Sequence, residues 1–156
     1  MASPAGVEGC ISCDLLAGRR PCPGGLIDET DRWAVNHCVG PLGVGTLIVA
    51  PKRHVIHVWE LDAEEAAEIG PLLRRTAGAV AAAFDPHQVY VCLWSHADNV
   101  PGHIHWVVQP VAASDDPGRR GANLQAAMFE AGELPDPAAM EDAADRLRVV
   151  LAAEPD

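Results

Sequence analysis

Gly102-His103-Ile104-His105-Trp106-Val107-Val108-Gln109-Pro110 is the stretch that decides the fold. Successive side chains of a β-strand point to opposite faces, so residues two apart share a face. His103, His105, Val107 and Gln109 therefore lie on one side, and Ile104, Trp106 and Val108 on the other, which reads as the core side. A solvated sheet face usually carries Thr, Lys or Glu. Two imidazoles and an amide in such a row point to chemistry, although paired histidines at this spacing also arise without function.

Working outward, residues 89–94 form a second apolar strand, joined to the first by the polar loop 95–102. Before it stands the clearest helix. Asp62 is a good N-cap, Glu65 stands where a capping box wants it, and alanine-rich sequence carries the helix to about Phe84, with Gly70-Pro71 as an expected kink. Residues 46–50 are a short apolar run typical of a buried strand. Residues 26–29 and 33–38, separated by Thr30-Asp31-Arg32, read as a hairpin. After Pro110 come a loop, a helix over 123–131, and a last helix after Asp136-Pro137, an N-cap followed by the proline favoured at the first helical position. The order predicts an α+β fold. It has an antiparallel sheet of about five strands, one long helix between strands three and four, and C-terminal helices.

The length of 156 residues suits one domain, 1–156, with a core over 10–110 and a helical extension over 111–156. Net charge is −11. Residues 1–61 carry 5 Lys/Arg against 6 Asp/Glu, and residues 62–156 carry 6 against 16, so the acidity sits in the helices and the tail. Such a chain is a poor partner for DNA or RNA, whose binding depends on phosphate neutralisation. A small phosphate ligand remains compatible, because backbone N–H groups can hold it. No apolar run approaches the ~18 residues of a membrane span. Residues 1–9 lack the positive start and apolar centre of a signal peptide, so a cytoplasmic protein without membrane partners is expected.

Five cysteines, an odd number, argue against a disulfide framework. Cys38 and Cys92 sit in apolar runs and read as core. Cys10-Ile11-Ser12-Cys13 has the C-x2-C spacing of two thiolates on one zinc, and alone it also fits a redox pair or coincidence. His54 and His103, at the ends of strand-like segments, could complete a Cys2His2 set. His37, His57 and His87 read as surface or packing residues, and Trp33, Trp59, Trp94 and Trp106 most simply as core anchors, with Trp33 close enough to Asn36 to line a base pocket.

Taken together, three stretches resemble the histidine triad (HIT) family of nucleotide hydrolases and transferases. The segment 10–18 is similar to the N-terminal knuckle of its zinc-bearing bacterial members. Gly45-Thr46-Leu47-Ile48-Val49-Ala50-Pro51-Lys52-Arg53-His54 is similar to their strand ending in Pro-Lys-x-His, and 103–110 to the triad itself. The resemblance implies structural zinc on Cys10, Cys13, His54 and His103. It implies His105 as the nucleophile that attacks an α-phosphate and becomes nucleotidylated, Asn36 near the ribose, and Asn99 near phosphate. The implied substrate is a dinucleoside polyphosphate, a nucleotide sugar or a nucleoside phosphoramidate, and the implied assembly a homodimer that extends the sheet.

The third histidine of the triad is Val107 here, and the Ser or Thr expected three residues before the first is Val100. Gln109, one step along the same face, is the candidate substitute toward substrate. These departures keep open a catalytically weak or inactive nucleotide-binding protein. A further alternative is an open catalytic zinc on His54, His103 and His105.

Overall fold

The computed structural model of the chain describes residues 6–95 and 101–154. Its elements in chain order are α1 (Ile11–Leu16), β1 (Leu26–Glu29), β2 (Trp33–His37), β3 (Leu47–Pro51), α2 (Ala63–Phe84), β4 (Gln88–Trp94), β5 (His105–Val111), α3 (Ala122–Ala131) and α4 (Pro137–Ala153). The strands form one antiparallel sheet of five, in the order β1-β2-β3-β5-β4. This is the expected α+β arrangement, with α2 between the third and fourth strands. The second histidine, not the first, opens β5.

Helix α2 begins where the sequence says it should. The Asp62 carboxylate accepts from the Glu64 and Glu65 N–H groups at 3.0 and 2.7 Å, and Glu65 returns the bond to the Asp62 N–H at 2.9 Å. That reciprocal cap satisfies otherwise orphaned donors. Glu65 is also buried, and Arg53 meets its carboxylate with two bonds, of 2.9 and 2.7 Å. The helix runs through Pro71 and ends on Asp85, whose φ of 47° is the left-handed conformation that closes helices.

Opposed residues of antiparallel strands share a face, so the registers define two. Val35, Val49 and Trp106 line one, where α2 and α4 bury Leu72, Val80 and Leu147 against the sheet. Asn36, Ile48, Val107 and Cys92 line the other. This second face is partly roofed by α3: Cys38, Leu42 and Val107 form a small buried cluster to which Met128 and Ile48 add.

The C-terminal helix is a working part of the main core. Gly24 has φ +84°, and a Cβ there would meet the Ala144 Cβ at 2.6 Å, so α4 rests directly on the turn before β1. Arg148 of α4 donates to the carbonyls of Gly24 and Leu26. Among the described residues no helix is long and apolar enough to cross a membrane.

Candidate active site and metal centre

The α1 knuckle carries Cys10 at its N-cap and Cys13 in its first turn, both buried. It packs where the segments after β3 and before β5 present His54 and His103. One ligand atom from each of Cys10, Cys13, His54 and His103 lies within 4.8 Å of all the others. Cys10 Sγ is 3.3 Å from His103 Nδ1, and Cys13 Sγ is 3.4 Å from His54 Nδ1 and 3.6 Å from His103 Nδ1. A tetrahedral ion at Zn–S ~2.3 Å and Zn–N ~2.0–2.1 Å puts sulfur and nitrogen about 3.5 Å apart. The four residues are therefore spaced as a closed Cys2His2 site.

Protonation chemistry agrees with that fit. His103 Nε2 donates to the Pro51 carbonyl at 2.9 Å, which fixes the tautomer and leaves the Nδ1 lone pair facing the sulfurs. Burial holds the His103 imidazole down at about 4, and burial followed by the hydrogen bond with Cys10 lifts the Cys13 thiol to about 11. Burial thus disfavours charge on His103 and on Cys13, and a dication held there would reverse that preference by binding thiolate.

His105 is outside this cluster. Its Nδ1 donates to the His103 carbonyl at 2.9 Å, so Nε2 carries the lone pair. The imidazole lines a cleft of roughly 180 Å3 walled by Ile11 and Leu15 of α1, Ile48 of β3, and Cys38 and Gly40 after β2. Asn36 opens onto the same cleft and is 8% exposed, its Nδ2 donating to the His37 carbonyl at 2.8 Å. No Lys or Arg lines this cleft among the described residues.

Two candidate substrate contacts sit elsewhere. Trp33 belongs to the opposite, helix-covered face: it is fully buried, its Nε1 donates to the Glu65 carbonyl at 3.1 Å, and its ring meets Trp106 edge-on. Gln109 lies on the correct face but is fully buried beneath α3. Its Nε2 reaches the Leu42 carbonyl and Met128 Sδ, each at 3.1 Å, and its Oε1 accepts from Gln125 Nε2 at 3.1 Å. With its polar atoms so engaged, the amide pins α3 to the sheet. Val107 is buried in the same region. Asn99 and Val100 lie outside the described residues.

Other expectations separate by burial. His37 is a packing residue: its Nδ1 donates to the Cys38 carbonyl, its Nε2 accepts from the Gly45 N–H, and burial pushes its pKa down. His57 stacks on Trp59, which is 78% exposed, and Trp94 is 48% exposed, so neither tryptophan is a core anchor. Cys38 is buried and Cys92 half-buried. Sequence reasoning missed Cys38 and Gly40 as walls of the cleft, because only the turn after β2 brings them over Ile48.

No family model matches the sequence, and no curated protein matches it. Solved structures do. The chain is similar to a HIT-like protein involved in cell-cycle regulation from Bartonella henselae, with 18% identity, 94% of this chain and 99% of that one covered, and a TM-score of 0.72. It is similar to a hypothetical histidine triad nucleotide-binding protein from Sulfolobus tokodaii, at 17% identity with 92% of each chain covered and a TM-score of 0.72. A zinc-bound histidine triad family protein from Mycobacterium smegmatis matches at 21% identity, 92% and 93% coverage, and a TM-score of 0.66. The chain has the histidine triad fold.

Proposed function

We propose that the protein binds a small nucleotide in the cleft beside His105 and cleaves or transfers its nucleoside monophosphate through a covalent nucleotidyl-histidine. The observation that carries this reading is the hydrogen bond from His105 Nδ1 to the His103 carbonyl, which directs the lone pair of Nε2 away from the sheet backbone. The zinc-bound neighbour of the same fold supports assigning zinc to Cys10, Cys13, His54 and His103. Cys10, Cys13, His54 and His103 would hold the ion, which would cross-link α1 to the segments that follow β3 and precede β5.

The base enters against Ile11, Leu15 and Ile48, and Asn36 faces the ribose. Nε2 attacks the α-phosphorus; a P–N bond forms, and the bond to the leaving group breaks with its electron pair. The leaving group takes a proton from water. A second water then attacks phosphorus, loses its proton, and returns the P–N pair to Nε2. Backbone N–H groups rather than side-chain cations meet the phosphoryl oxygens, since no Lys or Arg lines the cleft among the described residues.

Replacing His105 by Asn is expected to cut turnover of adenosine phosphoramidates and diadenosine polyphosphates by at least about 10³-fold, with zinc content and melting temperature retained. A variant that keeps wild-type turnover refutes the assignment.

A second reading rests on Val107, whose packing against Cys38 and Leu42 removes a third imidazole from the phosphate side. On it the protein binds nucleotides without turning them over, and equal nucleotide affinity with no product at any enzyme concentration would establish it. Val91 and Leu93, exposed on the edge strand β4, support a homodimer that extends the sheet. Five free cysteines support a reducing, cytoplasmic setting.

A further inference from the structure

Cys10-Ile11-Ser12-Cys13 places one thiol at the N-cap of α1 and the other in its first turn. The two Sγ atoms lie within 4.8 Å of each other. Residues three apart on a helical turn are neighbours, at the ~4.4–6.8 Å between Cα atoms that a disulfide spans, so closing an S–S bond here is a matter of side-chain rotation. Cys10 is fully buried, whereas Cys13 lines a cavity of roughly 330 Å3 between α1 and β1, together with Leu16, Cys22 and Leu26. The sulfur that a small solute reaches first is therefore that of Cys13.

Little else ties α1 to the domain. Among the described residues, the hydrogen bonds of residues 10–16 to anything beyond Arg20 are those of Cys10 and Cys13 with His54 and His103. Ile11 and Leu16 keep 43% and 38% of their surface exposed, so burial holds the helix weakly. At the same time Ile11, Ser12 and Leu15 wall the cleft beside His105. Whatever parts the two thiols from the two imidazoles removes that wall.

We infer that the knuckle is a redox switch: a hydroperoxide oxidises Cys10 and Cys13 to a disulfide, the pair gives up the metal, and α1 comes away from the nucleotide cleft. The effect on the cleft rests on the function proposed above. Cysteines that hold a metal are thiolates. With hydrogen peroxide, the Cys13 thiolate attacks one oxygen; an S–O bond forms, the O–O bond breaks, and hydroxide leaves. The Cys10 thiolate then attacks the Cys13 sulfur; the S–S bond forms, the S–O bond breaks, and a second hydroxide leaves. Solvent protonates both hydroxides, and the two electrons lost by the sulfurs reside on the two waters formed. The disulfide presents no anionic ligand, and His54 and His103 alone fill half of a tetrahedral shell. Disulfides in reducing compartments are mostly transient and sensing ones, so a thiol reductant with zinc restores the clasp.

The test treats full-length, zinc-loaded protein with a small excess of hydrogen peroxide. Peptide mapping after alkylation should find a Cys10–Cys13 disulfide, and a chromogenic chelator should find the zinc released in step with it. Trypsin should cut after Arg19 or Arg20 at least about tenfold faster, since the segment is no longer clasped. Calorimetry should show affinity for adenosine 5′-monophosphate lowered about tenfold or more with the loss of the Ile11 and Leu15 wall. Dithiothreitol with zinc should reverse all of these. Zinc released without a disulfide, a disulfide joining Cys13 to Cys22, or a Cys10–Cys13 disulfide that leaves either tryptic cleavage or affinity as it was overturns the inference. Cys22→Ser removes the other thiol of the cavity and should oxidise as wild type does; if that variant keeps its zinc under peroxide, the inference is again overturned. Reduced, zinc-loaded protein that binds no adenosine 5′-monophosphate refutes the nucleotide reading, and the disulfide, zinc and trypsin measurements then decide the switch by themselves.

Discussion

His103 and His105 are two residues apart and are suited to different tasks because their ring nitrogens are differently engaged. His103 gives Nε2–H to the Pro51 carbonyl and turns Nδ1 to the sulfurs; His105 gives Nδ1–H to the His103 carbonyl and keeps the Nε2 lone pair. The same care over charge appears at Glu65, a buried carboxylate that Arg53, through its paired hydrogen bonds, holds below the usual range. Its folded pKa lies below the unfolded value of 4.5, so its contribution is complete above that pH and is lost as pH falls further. Glu65→Gln keeps an acceptor for the Asp62 N–H and removes the ion pair. Because Arg53 is half-exposed and screened, a loss of about 1–2 kcal/mol at neutral pH is expected, shrinking toward zero in strong acid. Urea unfolding of the two proteins between pH 7 and 3 checks this; parallel stability curves would contradict it.

At the scale of elements, α1 has six residues, too short to persist on its own. What fixes it is the Cys2His2 cluster, so metal and knuckle should be lost together. Cys13→Ser is expected to abolish stoichiometric zinc in elemental analysis and to lower Tm on the order of 10 °C, a few kcal/mol for a chain of this size. Retention of one zinc per chain in that variant would place the ion elsewhere. Helix α3 shows what a local pattern leaves out. The alternation along β5 put Gln109 on the face of the histidines, which is correct, but alternation carries no information about which later helix covers a face. Asn123 to Ala131 read as a helix; that Gln125 and Met128 would bury Gln109 and Val107 is a tertiary event. Trp33 illustrates the same limit from the other side, since it stands three residues from Asn36, an odd separation that puts the two on opposite faces of β2.

Across the whole molecule, elements with a strong local signature were legible. The capping box placed the start of α2, Asp136-Pro137 placed α4, and the spacing of Cys10, Cys13, His54 and His103 anticipated a cluster drawn from three elements. The exposure of Trp94 was not, because the sequence does not say that β4 is an edge strand. Nor was the dependence of the main core on the C-terminal helix, which the sequence suggested as an extension to a core over 10–110 and which supplies Ala144 and Leu147. Gly24→Ala tests that dependence. Its added methyl collides with Ala144 and its φ is unfavourable to any side chain, so a fall in Tm of about 5–10 °C is expected by calorimetry. An unchanged Tm would mean that α4 is not seated on the turn before β1.

Whether His105 Nε2 forms a bond to phosphorus is decided by mixing the protein with an adenosine phosphoramidate, quenching within milliseconds and measuring intact mass. The expected result is a transient species heavier by one adenylyl group, which fragmentation assigns to His105 and which the His105→Asn protein never shows. Product release with no such species at any quench time, or an adduct on another residue, would show that His105 is not the nucleophile.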